Sequence, residues 1–433
     1  MKYAPIKNTL FIENRKKFMK QLKPGSVAVL HSNDIQPTNA DGTMAFRQNS
    51  DLFYLSGIDQ EESILVLFPE FPDKKMREIL FLRETNEEIA IWEGHKYTKE
   101  EAIETSGILT IKWLSEFETT FNALMAEAEN VYLNTNEHTR RALVEVETRD
   151  MRFIKWCKNK FPLHNYHRIA PIISSLRMIK SENEIELMQI ACDITEIGFR
   201  RILEFVQPGV YEYEIEAEFI HEFIRRKSKG FAYTPIIATG FNACVLHYIE
   251  NKDQCKDGDV LLLDVGAEYA NYNADLTRSI PVNGRFTHRQ KDVYNAVLRV
   301  QRAAFDMLHP GNVISEYHKE VGKIMESELL GLALLDKTDI KNQDPDKPAY
   351  KKYFMHGTSH HLGLDVHDVG SYFRKFEENM LFTVEPGIYI REENLGIRIE
   401  NDIVIKKHGI YDLMANIPIE ADEIEEIMNS GSK

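Results

Sequence analysis

The spacing of apolar and polar positions changes near residue 175. Before it, short apolar runs alternate with stretches of helical period. SVAVLHS (26–32), ESILVLFPE (62–70) and REILFLR (77–83) predict strands, and the segments near 8–22, 116–129 and 138–160 predict helices with charged faces. After it the periods lengthen. Ser181 and Glu184 form an S-x-x-E capping box, behind which Leu187, Ala191, Ile194, Gly198 and Ile202 recur on one face until Pro208-Gly209. Thr287 with Gln290 opens a second such helix, carrying Val293, Val297, Val300 and Ala304, and Pro310-Gly311 stops it. Another amphipathic helix follows each Pro-Gly. The pattern predicts an α+β protein: an α/β domain over residues 1–175, then a domain over 176–433 built from two similar halves.

Composition narrows the class of function. Of 433 residues 43% are hydrophobic, and 53 Lys+Arg stand against 68 Asp+Glu, a formal charge of −15. A surplus of that size repels nucleic-acid phosphates and anionic lipid, so neither is an expected partner. No apolar run approaches the ~20 residues of a membrane span, and the charged N-terminus lacks the core of a secretory signal. Cys157, Cys192, Cys244 and Cys255 form neither a C-x-x-C pair nor a dense framework, which favours a reduced, cytoplasmic setting.

Chemistry enters with DVLLLDVGAEYANYNADLTRSIPV (259–282), which reads as a hairpin bearing Asp264 and Asp275. On one straight strand their odd separation places them on opposite faces, so they share a face only if the chain reverses. With the reversal centred on Glu268 to Asn271 the two acids fall directly opposite, about 5 Å apart at their side-chain origins. A cation between them would offset their repulsion. A solvated rim and a pair sharing one proton are the alternatives.

Four of the 15 histidines fall between 356 and 367, in FMHGTSHHLGLDVHDVG (354–370), flanked by Gly357 and Gly363. Imidazole is the usual metal ligand and proton carrier near neutral pH; any one of the four, His361 first, could instead be packed. NMLFTVEPGIYI (379–390) reads as an apolar strand with one acid, Glu385. In GIRIENDIVI (396–405), Arg398, Glu400 and Asp402 alternate with isoleucines and share a face. Four carboxylates and a histidine make a hard, oxygen-rich ligand set suited to Mn²⁺, Co²⁺, Fe²⁺ or Zn²⁺, and a charge of −4 favours two divalent ions over one.

The order Asp264, Asp275, His360, Glu385, Glu400, in these contexts, resembles the pita-bread metallopeptidases, and within them the aminopeptidase P subfamily. ADGTMAFRQNSDLFYLSG (40–57) resembles that subfamily's N-terminal domain, so the likeness covers nearly the whole chain. It implies two pseudo-symmetric halves around a curved antiparallel sheet, and a dinuclear site, manganese first, with zinc, cobalt or iron as alternatives. Asp264, Asp275, His360, Glu385 and Glu400 would be the ligands, Asp275 and Glu400 bridging both ions. The resemblance further implies catalytic roles for Glu385, His247, His367, Arg398 and His356 around a metal-activated hydroxide, and substrate contacts by Asp41, Trp92 and Tyr389. Trp92 would reach in from a neighbouring subunit of a dimer or tetramer; a core tryptophan is the plain alternative.

The implied substrates are peptides with Pro in second position. Prolidase, which cleaves Xaa-Pro dipeptides, is the runner-up. Met355-His356-Gly357-Thr358-Ser359-His360 departs from the Pro-His-Gly-x-Gly-His form usual in prolidases. A non-catalytic binding relative is disfavoured by the complete ligand set, and a methionine aminopeptidase by the N-terminal domain.

Overall fold

A computed structural model describes residues 3–135, 137, 138 and 146–430. The chain divides into two compact units, Tyr3–Arg177 and Met178–Lys433.

The first unit is a six-stranded mixed sheet. Its strands are β1 (Ser26–His31), β2 (Ile64–Leu67), β3 (Glu78–Leu82), β4 (Thr110–Trp113), β5 (Asn130–Leu133) and β6 (Asn165–Arg168), in the order β4-β3-β2-β1-β5-β6. β1-β2-β3 are antiparallel neighbours and the outer pairings are parallel. β1 and β2 are buried throughout, because helices cover both faces of the sheet, and a strand buried on both sides is a continuous apolar run. The predicted helices are observed as Thr9–Met19, Phe117–Met125 and Arg149–Lys160, all shorter than the pattern. Residues 139–145 of the third fall outside the described part. Phe117, Phe121 and Leu124 pack with Val27, Val29, Ile79 and Phe81 on one face.

The second unit repeats one plan. Helix α1 (Glu182–Phe205) is closed at its start by the Ser181/Glu184 capping box, and α2 (Glu212–Arg225) follows Pro208-Gly209. Helix α3 (His288–Asp306) carries the Thr287/Gln290 box, and α4 (Ile314–Gly331) follows Pro310-Gly311. Gly209 and Gly311 have φ of +102° and +94°, which L side chains rarely adopt, so each turn requires its glycine. On α1, Leu187 lies at the edge of the buried face and Ile185 and Met188 fill it.

The strands of this unit form antiparallel groups. β7 (Ile236–Thr239), β8 (Val260–Val265) and β11 (Leu276–Pro281) make one sheet, with β9 (Glu268–Tyr269) and β10 (Tyr272–Asn273) extending the hairpin. β12 (Leu381–Val384), β15 (Asn401–Ile405) and β16 (Ile410–Asp412) make another, and β13 (Gly387–Ile390) pairs with β14 (Leu395–Arg398). A bridge between Thr277 and Glu400 joins the first group to the second. This is the arrangement of two halves about an antiparallel sheet that the resemblance implies.

The hairpin register differs from expectation by two. Asp264 lies opposite Thr277, and Tyr269 opposite Tyr272. The reversal is a two-residue turn at Ala270 and Asn271, both at positive φ (54° and 68°), one position later than the centre read from sequence. A slip of two preserves the face, so Asp264 and Asp275 stay together as diagonal rather than direct neighbours. Two predicted strands are each broken in two. Pro386, without an N–H, ends the ladder after Val384, and the 396–405 strand is interrupted at Ile399-Glu400.

Candidate metal centre

Those breaks put the acids where they are. At the first, Glu385 N–H leaves the sheet for Thr358 O (2.8 Å), and at the second, Glu400 N–H goes to Thr277 O (3.0 Å). Glu385 and Glu400 thus face the same hairpin as Asp264 and Asp275. The loop after residue 355 brings His360 to the same acids.

Asp275, His360 and Glu400 are all buried, and each offers a ligand atom within 4.8 Å of the others. His360 Nε2 lies 3.5 Å from Asp275 Oδ2 and 3.7 Å from Glu385 Oε1. Its Nδ1 faces the carbonyl of His361 at 3.0 Å and must donate there, so in the neutral ring Nε2 presents its lone pair to the acids. Glu400 Oε2 accepts from Thr277 Oγ1 (2.6 Å).

Asp264 is held from two sides. Arg398 Nη2 donates to its Oδ2 (2.5 Å), and the Tyr233 hydroxyl lies 2.6 Å from both Asp264 Oδ1 and Asp275 Oδ1. One hydroxyl carries one proton, so the second contact needs a proton on a carboxyl. The electrostatics agree: burial raises Asp264, burial and the neighbouring Asp275 hold Glu400 well above the ordinary carboxylate range, and burial pushes Glu385 up to about 7. Raised in this way, Asp264, Glu385 and Glu400 hold protons more readily than free carboxylates do. A divalent cation would displace them and neutralise the acids, so the donor set fits hard, oxygen-preferring metal ions.

A hydrogen-bond chain borders the acids. Arg398 Nη1 donates to the Tyr389 hydroxyl (2.8 Å), which lies 2.7 Å from His356 Nε2, while His356 Nδ1 faces the Gly357 carbonyl at 2.8 Å. The carbonyl can only accept, so Nδ1 carries the proton and Tyr389 donates to Nε2. Burial, with Arg398 beside it, pushes His356 down to about 3, so this ring is neutral. Its Nδ1 also lies 3.5 Å from Glu385 Oε2. The His367 ring meets His360 edge-on at 4.5 Å between centroids, and His247 is solvent-exposed, close enough for its charge to depress His356.

The remaining sequence candidates fall elsewhere. His361 is packed against Phe382 (4.4 Å between centroids) and depressed by burial to about 3. Asp41 and Trp92 belong to the first unit, and the geometry above is made by the second alone. Both are solvent-facing; Trp92 is 84% exposed on a helix, Glu87–Glu93, that has no buried residue, which excludes the core reading. Sequence reasoning missed Tyr233 and Thr277. Neither sits in a pattern that announces chemistry, and only the folded sheet brings their hydroxyls to the acids.

The chain matches the description of metallopeptidase family M24 over residues 186–407 and of the aminopeptidase P N-terminal domain over residues 11–132. It is 35% identical to the Xaa-Pro aminopeptidase of Haemophilus influenzae, covering 98% of each chain. Against the Xaa-Pro aminopeptidase of Escherichia coli the identity is 34%, over 99% of this chain and 100% of the relative. A solved structure of zinc-substituted E. coli aminopeptidase P in complex with product superposes with a TM-score of 0.87 at 33% identity, covering 99% of this chain and 100% of the other. With buried acids and a histidine gathered on the hairpin, and both domain descriptions matched in order, the chain belongs to metallopeptidase family M24, in its aminopeptidase P branch.

Proposed function

We propose that this chain is a metal-dependent Xaa-Pro aminopeptidase that removes the first residue from peptides with Pro in second position. The observation that carries this reading is the convergence of Asp264, Asp275, His360, Glu385 and Glu400 on one hairpin face, in a chain whose full-length relatives are Xaa-Pro aminopeptidases. Those relatives favour it over prolidase.

The five residues would hold two divalent ions, manganese first. Bound there, such ions polarise the scissile carbonyl and lower the pKa of water. The protein's own groups handle protons and orientation. Glu385, poised near neutrality, accepts a proton at its carboxylate and returns it to the departing proline nitrogen. Neutral His356 and Tyr389, fixed by Arg398, keep the wall beside Glu385 in one protonation pattern. His247 and His367 are assigned as donors to the developing oxyanion. Proline's ring fixes φ and its nitrogen lacks an N–H, so the bond calls for a dedicated pocket. Tyr389 is assigned as a substrate contact, and Asp41 and the exposed Trp92 to the substrate entrance, Trp92 coming from a neighbouring copy of a dimer or tetramer. The four buried thiols support a reducing, cytoplasmic setting.

Offering Xaa-Pro-Xaa tripeptides and Xaa-Pro dipeptides side by side, with manganese, tests the proposal. Release of the first amino acid from the tripeptide is expected. Cleavage of the dipeptide alone would overturn it in favour of prolidase.

A further inference from the structure

The two halves of the second unit meet at the acids, and little main chain joins them there. β11 belongs to the first half and residues 399–402 to the second; among the described residues they share the single bridge Thr277–Glu400. Beside the Arg398–Asp264 pair, two more buried, ionisable side chains cross between the halves, in opposite directions. Arg278, on β11, donates from Nη1 to the carbonyls of Glu400 (2.8 Å) and Thr277 (2.9 Å), and from Nε to Pro418 O (2.9 Å). Asp402, on β15, accepts the Asp275 N–H (3.0 Å) at Oδ2, which also takes the Cys192 thiol (3.5 Å).

Both side chains are 0% exposed, and neither has an ion-pair partner among the described residues. Arg278 Nη2 and Asp402 Oδ1 find no hydrogen-bond partner there either. Burying ionisable side chains that each leave a polar atom unpaired costs several kcal/mol, so packing alone gives no reason for them. What each does hold is the backbone of a ligand candidate on the opposite half: the first half grips Glu400, and the second grips Asp275.

We propose that Arg278 and Asp402 are reciprocal positioning residues, a clamp across the seam that fixes Asp275 and Glu400 relative to each other. The proposal rests on the metal-centre reading above. A metal site requires ligand distances correct to roughly 0.2 Å, and the clamp would add to the Thr277–Glu400 bridge and the Arg398–Asp264 pair in holding the two halves to that tolerance.

Metal-depleted full-length protein would be titrated with Mn²⁺ by equilibrium dialysis, and each variant's thermal unfolding followed without metal. Loss of an outer partner of metal ligands typically weakens affinity about 10–100-fold, and that loss is expected for Arg278→Met and Asp402→Ala. Asp402→Asn keeps an oxygen that accepts the Asp275 N–H and should bind close to wild type. If Arg278→Met does not fold, the two Asp402 variants decide the matter. Wild-type affinity in Asp402→Ala, with only a lower melting temperature, would reduce the pair to a structural role and overturn the clamp, and equal weakening in Asp402→Asn would overturn its hydrogen-bond basis. A wild-type chain that takes up no Mn²⁺ would instead refute the metal-centre reading, and the clamp with it.

Discussion

Arg398→Met removes a guanidinium that is 4% exposed and bonded to Asp264 Oδ2 (2.5 Å), the Tyr389 hydroxyl (2.8 Å) and Thr277 Oγ1 (3.1 Å). At a pH high enough to keep Asp264 ionised in the metal-free protein, taking one partner from a buried ion pair costs about 3–5 kcal/mol, because the other charge is left uncompensated. The metal-free variant should therefore lose about that much stability, or about 6–20 °C at 2–4 °C per kcal/mol for a unit of this size. If Asp264 binds a cation, saturating Mn²⁺ gives its carboxylate another partner, and the deficit should shrink by half or more. Urea unfolding followed by circular dichroism, once with chelator and once with Mn²⁺, gives both numbers. A metal-free loss under about 1 kcal/mol would refute the view of Arg398 as the counter-charge, that being no more than one ordinary hydrogen bond. An equal loss with and without metal would refute Asp264 as a ligand.

Three further outcomes follow from the same geometry. His360→Ala should abolish metal uptake, whereas His361→Phe, at a position packed on Phe382, should leave uptake intact; dialysis against Mn²⁺ separates the two. Because burial raises Asp264, Glu400 and Glu385 (the last to about 7), the metal-free centre holds protons that metal binding must expel. Apparent Mn²⁺ affinity should then rise with pH between about 6 and 8, by up to about tenfold per unit for each proton released, with heat signals that change with the buffer's ionisation enthalpy; a pH-independent affinity would count against the raised acids. Trp92→Ala should move stability by no more than about 0.5 kcal/mol, as expected for an exposed side chain, yet lower kcat/KM. Unchanged kcat/KM would remove Trp92 from the substrate site.

Local signals carried the reading far. Ser181 with Glu184 and Thr287 with Gln290 marked two helix starts that the structure keeps, because a capping box is a short-range arrangement written in four residues. Glu385 stands out as the one acid on an apolar strand, and Glu400 through the alternation it shares with Arg398 and Asp402. What escaped was long-range or depended on an unmarked turn. Ala270-Asn271 lacks the glycine that usually announces a two-residue hairpin turn, so the register came out two positions early while the shared face survived. Tyr233 lies 31 and 42 residues from the carboxylates it touches, and its role exists only once the strands pair. Arg278 carries no local signal of its part, since its partners, Glu400 and Pro418, are 122 and 140 residues away.

The most direct test of the central claim couples metal content to turnover in one preparation. Chelator-treated protein should leave Xaa-Pro-Xaa peptides intact. Adding back Mn²⁺ should restore release of the first residue as occupancy approaches two ions per chain, and Asp264→Ala should stay folded yet silent throughout. Hydrolysis that survives complete chelation, or full activity in Asp264→Ala, would contradict the account.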